Sequence, residues 1–151
     1  MNAQQRAKAA YYRRGVEKKI MDILQRDFPS PCLLQCSYDQ RPQVQPQEII
    51  NDLRAFLRRA ERRRPGVRYM AFVTRDRETG APCLHALVNL PGADCRAAAA
   101  PFFRCGRVDL LQPDAEQLAE FSRSARALLD DETRIFPHPL FLSRSVSQMP
   151  A

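Results

Sequence analysis

Cys83 and His85 are the pair in this chain whose types and spacing could do chemistry. They lie in residues 82–90, Pro-Cys-Leu-His-Ala-Leu-Val-Asn-Leu, which reads as a strand. Side chains alternate across a sheet, so residues two apart point the same way. A thiol and an imidazole held like that could share a metal ion. Cys32 and Cys36 sit in an earlier strand-like run. If the two strands pair, Cys32, Cys36, Cys83 and His85 make a possible zinc set. The Cys-x-x-x-Cys spacing is not that of a usual zinc knuckle, so the expectation is a packed core without a bound cofactor. Five cysteines are an odd number with no disulfide-like spacing, which points to reduced, buried thiols.

A second group of residues could bind rather than react. The net charge is +7, and residues 1–64 hold 14 of the 24 Lys+Arg but only 7 of the 17 Asp+Glu. The remainder holds 10 of each sign. The whole excess therefore lies in the first part of the chain, where a one-sided basic field attracts polyanions, nucleic acid first. Its carriers are Arg13, Arg14, Lys18 and Lys19, then Arg54, Arg58, Arg59, Arg62, Arg63 and Arg64.

These residues need elements to position them. At 151 residues the chain is expected to form one domain spanning 1–151, large enough for a core. Residues 3–27 carry Val16, Ile20, Ile23 and Leu24 on one helical face. Gly15 weakens that helix by about 1 kcal/mol relative to Ala, and Pro29 and Pro31 end it. Residues 32–38 form a first strand. Pro46 can open a helix whose apolar positions are Ile49, Leu53, Phe56, Leu57 and Ala60, with Pro65-Gly66 as its stop. Residues 67–74 and 83–90 form a hairpin around Thr79-Gly80. A short helix over 94–104, a strand over 106–111 and a last helix capped by Asp114 and Gln117 follow. That helix has the stripe Leu118, Phe121, Ser122, Ala125, Leu128 and Leu129. Residues 132–151 are expected to be an irregular tail. The order α-β-α-β-β-α-β-α predicts an α+β fold, an antiparallel sheet of four to five strands with helices mainly on one face. No apolar run is long enough to cross a bilayer, and residues 1–6 contain no apolar signal segment, so a cytoplasmic protein is expected.

At these residues the chain resembles the replication initiators of rolling-circle plasmids and related mobile elements, members of the His-hydrophobe-His (HUH) endonucleases. Tyr69-Met-Ala-Phe-Val looks like the strand before the metal strand. Gly80-Ala-Pro-Cys-Leu-His-Ala-Leu-Val-Asn89 looks like the metal strand. Phe103-Arg-Cys-Gly-Arg-Val108 is similar to the family's Trp-x-x-Gly-x-Val turn. Leu118-Ala-Glu-Phe121 resembles the Leu-Ala-x-Tyr that opens the nucleophile helix, and Leu142-Ser-Arg-Ser145 resembles a Ser-Arg-Asn that often follows. Cys32 to Tyr38 stands in the place of the first motif strand. The resemblance implies a compact, ferredoxin-like palm.

It also implies a chemistry whose parts this sequence replaces. In the family, two His and a further polar ligand hold a divalent metal that polarises the scissile phosphate, and a Tyr attacks phosphorus. Here Cys83 stands where the first His would be, and a thiolate suits zinc better than the metals of phosphoryl transfer. Phe121 stands where the Tyr would be and has no nucleophilic oxygen. Asp76 and Glu78 are the nearby acidic candidates. Ser122 has no recognisable activator. Tyr11-Tyr12 is similar in place to the nucleophile of permuted relaxases, but those enzymes need several His and this chain has two, His85 and His138. Cys83, His85 and Phe121 are thus expected to be relic positions. Three functions remain open: a Rep-like protein that no longer nicks and binds nucleic acid, DNA before RNA, through its basic face; an anti-CRISPR-like inhibitor of a host defence nuclease or nucleoprotein; and a divergent HUH endonuclease. None of them involves a membrane.

Overall fold

In the computed structural model, residues 2–103, 105–131, 134–136 and 140–143 are described, apart from the side chains of residues 9–13. The sequence candidates Arg13, Tyr11, Tyr12 and His138, and the last two residues of Leu142-Ser-Arg-Ser145, lie outside the described residues or side chains.

The chain folds as α1 (Ala3–Asp27), β1 (Cys32–Ser37), α2 (Pro46–Arg63), β2 (Tyr69–Arg75), β3 (Pro82–Val88), α3 (Gly92–Ala98), a 3-10 turn (Ala100–Phe102), β4 (Arg107–Leu111), α4 (Ala115–Leu129) and β5 (Phe141–Leu142). The expected α+β class is the one observed. All strand pairs are antiparallel, in the order β4-β1-β3-β2-β5. The stretch from β1 to β4 is a βαββαβ unit with strand order 4-1-3-2, the ferredoxin-like arrangement.

Strand alternation splits the core in two. Cys32, Leu34, Cys36, Ala71, Val73, Leu84, Ala86 and Val88 face one way and pack with Ile49, Leu53, Phe56 and Ala60 of α2, Cys95 and Ala98 of α3, and Phe102. Leu33, Met70, Phe72 and Leu87 face the other way and pack with Ile20 and Leu24 of α1 and Phe121, Ala125 and Leu128 of α4. Of the helices expected mainly on one face, only those inside the βαββαβ unit share it. The terminal helices α1 and α4 take the other, because each carries its own apolar stripe and that stripe must be buried somewhere.

Local signals account for the boundaries. Asn2 and Gln5 make a capping box for α1, and Asp114 and Gln117 make one for α4. Pro46 opens α2. The α1 helix runs straight through Gly15, whose Cβ position meets nothing within 4 Å. Arg68 and Arg26 both reach Asp27, 3.2 and 3.4 Å away, tying the end of α1 to the entry of β2. The short helix ends at Ala98, before the 3-10 turn, because Pro101 supplies no N–H to prolong it. The 132–151 tail is not irregular throughout: Phe141 and Leu142 pair with Ala71 and Met70 and add the fifth strand. A two-residue strand leaves too short a sequence pattern to be read in advance. Among the described residues, no helix is long and apolar enough to cross a membrane.

Gly106 is required where β4 begins. Its φ is +134°, and a Cβ there would fall 2.0 Å from Asp39 Oδ1 and 2.8 Å from the Ser37 carbonyl oxygen. The carboxylate can swing away, but the backbone oxygen cannot. Gly106→Ala is expected to lower the unfolding free energy by roughly 2–3 kcal/mol, from overpacking and a disfavoured backbone angle, read as a drop in the urea midpoint at unchanged slope.

Candidate functional site: a polar basin on the open half of the sheet

On the α1/α4 face, each of four strands changes character at the same level. β1 passes from Leu33 to Gln35 and Ser37, and β2 from Phe72 to Thr74. β3, running the opposite way, passes from Cys83 and His85 to Leu87, and β4 from Arg107 and Asp109 to Leu111. The apolar half lies beneath α1 and α4. The polar half is an open basin of about 550 Å³, lined by the polar residues of these strands with Asp39, Asp76 and Thr79.

His85 forms the floor of this basin. Its ring stacks on Phe72 with centroids 4.9 Å apart and an 18° interplanar angle. With the Gln35 amide donating to Nδ1 at 3.4 Å, the Nε2–H donates to Thr74 Oγ1 at 2.9 Å. Burial pushes the imidazole down to about 4, so it is neutral at physiological pH. The Cys83 thiol is pushed up to about 11, by burial first and then by the charges of Asp76 and Asp109. It stays protonated at neutral pH. Asp76 is held below the usual carboxylate range by the backbone N–H groups of Thr79 and Glu78, because it caps its own hairpin turn. Asp109 is paired with Arg107 at 3.1 Å.

The sheet register separates the possible zinc set. Gln35 is opposite His85 and Ser37 opposite Cys83, whereas Cys36 is opposite Leu84 and Cys32 opposite Val88. Cys32 and Cys36 therefore face the α2 core, and Cys83 and His85 face the basin. One residue of parity puts the two pairs on opposite sides of the sheet. Among the described residues, no group of three or more His, Cys, Asp or Glu side chains is placed to hold a metal ion.

Phe121 is part of the same face but not of the basin. Its ring is 4% exposed and packs on Phe72 at 4.8 Å, so Phe72 stands between it and His85. Neighbouring Ser122 points to α1, where its hydroxyl donates to the Glu17 carbonyl at 3.3 Å.

The basic residues divide between the two layers. Arg14, Lys18 and Lys19 are exposed on α1, on the basin side of the sheet. The arginines of α2 lie on the opposite layer. Arg63 and Arg64 both reach Asp94 of α3, at 3.0 and 2.9 Å, and act as a clamp between helices. Arg54, Arg58, Arg59 and Arg62 are exposed and make no ion pair among the described residues. Glu61, the one carboxylate among them, accepts instead from the backbone N–H of Gly66 and Val67 and closes the end of the helix.

Sequence reasoning passed over Gln35, Ser37, Arg107 and Asp109. The signal was available: one parity of each strand turns polar at one end. It acquires meaning only once the register aligns those ends.

The chain matches no protein-family model, and comparison with curated proteins and with solved structures finds no match.

Proposed function

We propose that this chain is a Rep-like protein of a mobile element that binds nucleic acid, DNA in preference to RNA, in the cytoplasm, and does not nick it. The observation that carries this reading is the set of exposed arginines on α2, Arg54, Arg58, Arg59 and Arg62, left without carboxylate partners among the described residues. Guanidiniums free of internal partners are available to phosphates. Such contacts position a strand and carry no sequence information by themselves. Side-chain chemistry supports the loss of nicking. Phe121 offers carbon alone and its ring is buried against Phe72. The Cys83 thiol is protonated at neutral pH, and His85 already spends both ring nitrogens on Gln35 and Thr74.

The test is a fluorescently labelled oligonucleotide titrated at several salt concentrations. Four phosphate contacts give a log–log slope of about −3, so affinity falls roughly 50-fold between 50 and 200 mM salt. The same protein incubated with single-stranded DNA and Mn²⁺ yields no covalent adduct on a denaturing gel, and neither does Phe121→Tyr, whose ring enters the core rather than the basin. A flat salt response, no binding at 50 mM salt, or an adduct from the wild-type chain would each end this reading.

A further inference from the structure

Among the described residues, two large hydrophobic side chains are exposed, Phe103 at 53% and Leu129 at 38%. Phe103 follows the 3-10 turn, which is locked onto α2: Phe102 is fully buried and its ring lies 5.6 Å from that of Phe56. Backbone hydrogen bonds from Phe103 N to the Ala100 carbonyl and from Cys105 N to the Phe102 carbonyl hold the turn. With Phe102 committed to the core, its neighbour is turned outward. An aromatic ring therefore stands exposed on the same layer as the arginines of α2.

Charge separates this layer from the basin on the other side of the sheet. The basin carries Asp39, Asp76 and Asp109 against Arg107, itself paired with Asp109. The basin's own carboxylates disfavour a phosphodiester strand, although Arg14, Lys18 and Lys19 of α1 lie on that side of the sheet; the exposed arginines of α2 attract one. Arg54, Arg58 and Arg62 recur every four residues, so they form one row about 12 Å long on the helix.

We infer that the layer of α2 and the 3-10 turn, and not the open basin, is the docking surface for single-stranded nucleic acid, with phosphates on Arg54, Arg58 and Arg62 and a base stacked on Phe103. This rests on the nucleic-acid reading above and adds to it the strand type and the face. A positively charged track and an exposed aromatic on one layer suit a single strand, because every unpaired base offers a face to stack and a duplex offers none along its length.

The experiment uses the full chain, a labelled 15-nucleotide oligo-deoxythymidine and a duplex of the same length. All substituted side chains are exposed or line the open basin, and circular dichroism verifies that each variant folds. Phe103→Ala weakens single-strand binding about tenfold without changing the salt slope or duplex binding. Phe103→Trp keeps the affinity and, since the chain has no other Trp, supplies a single fluorophore that the strand quenches. The triple variant Arg54→Gln, Arg58→Gln, Arg62→Gln lowers the magnitude of the salt slope by about 2. The paired basin variant Arg107→Gln, Asp109→Asn binds as the wild type does. Unchanged affinity in Phe103→Ala, an unquenched Trp, an equal loss on the duplex, or loss of binding in the basin variant would overturn the inference while leaving nucleic-acid binding itself intact. Failure of the wild type to bind either oligonucleotide at 50 mM salt would overturn both.

Discussion

Phe72→Ala is expected to lower the unfolding free energy by about 3–5 kcal/mol, the range for removing a buried phenyl ring. Phe72 is fully buried in the centre of the sheet and touches two otherwise separate systems. On one side its ring meets Phe121 of α4 at 4.8 Å; on the other it carries the imidazole of His85 at 4.9 Å. Truncation removes transfer free energy and leaves a cavity where the apolar half of the face meets the polar half. It also withdraws the surface against which His85 stacks. Equilibrium urea unfolding measures the loss, and a change under 1 kcal/mol would mean that α4 does not pack on the sheet in this way. Phe72→Leu, which refills much of the volume, recovers part of the stability.

The second large effect is a dependence on pH carried by His85. Its folded pKa is about 4 because burial disfavours the imidazolium, against about 6.5 in an unfolded chain. Between these values the unfolded state binds more protons than the folded state. Stability is therefore complete above pH 6.5 and falls as pH drops toward 4. The full window amounts to about 3 kcal/mol. Asp76, Asp94 and Glu61 have lowered folded pKa values. Their contribution is present above the ordinary carboxylate range and lost below it, so the interval from pH 7 to 4.5 mainly reports histidine. His85→Gln is expected to flatten the decline in urea midpoint over that interval. An equally steep decline in the variant would show that His85 is not buried as described.

The two predictions concern one boundary, the line across the sheet where apolar side chains give way to polar ones. That boundary also separates the three positions that the resemblance singles out. Cys83 and His85 are on the polar side and Phe121 on the apolar side. A hydroxyl at position 121 would be separated from the basin by the ring of Phe72.

Much of the secondary structure was legible in local chemistry. Pro46 and Pro65-Gly66 bracket α2 because proline can start a helix but not continue one. The pair Asp114/Gln117 satisfies the first N–H groups of α4. The period-two runs around Thr79-Gly80 read as a hairpin, and β2 and β3 pair as one. The common orientation of Cys83 and His85 followed from strand alternation alone. These features depend on residues within a few positions of one another. What the sequence could not decide was anything requiring two distant segments to be aligned. Whether Cys36 meets Leu84 or Cys83 across β1 and β3 is a matter of one residue of register, and it determines whether four possible ligands share a face. Whether Arg63 and Arg64 are free or spent on Asp94 depends on how α2 lies against α3. Whether Phe103 faces inward or outward depends on Phe102 finding Phe56. Periodicity reports which side of an element is apolar; only packing decides which neighbour that side meets, because register and docking are set by the burial of all the elements together.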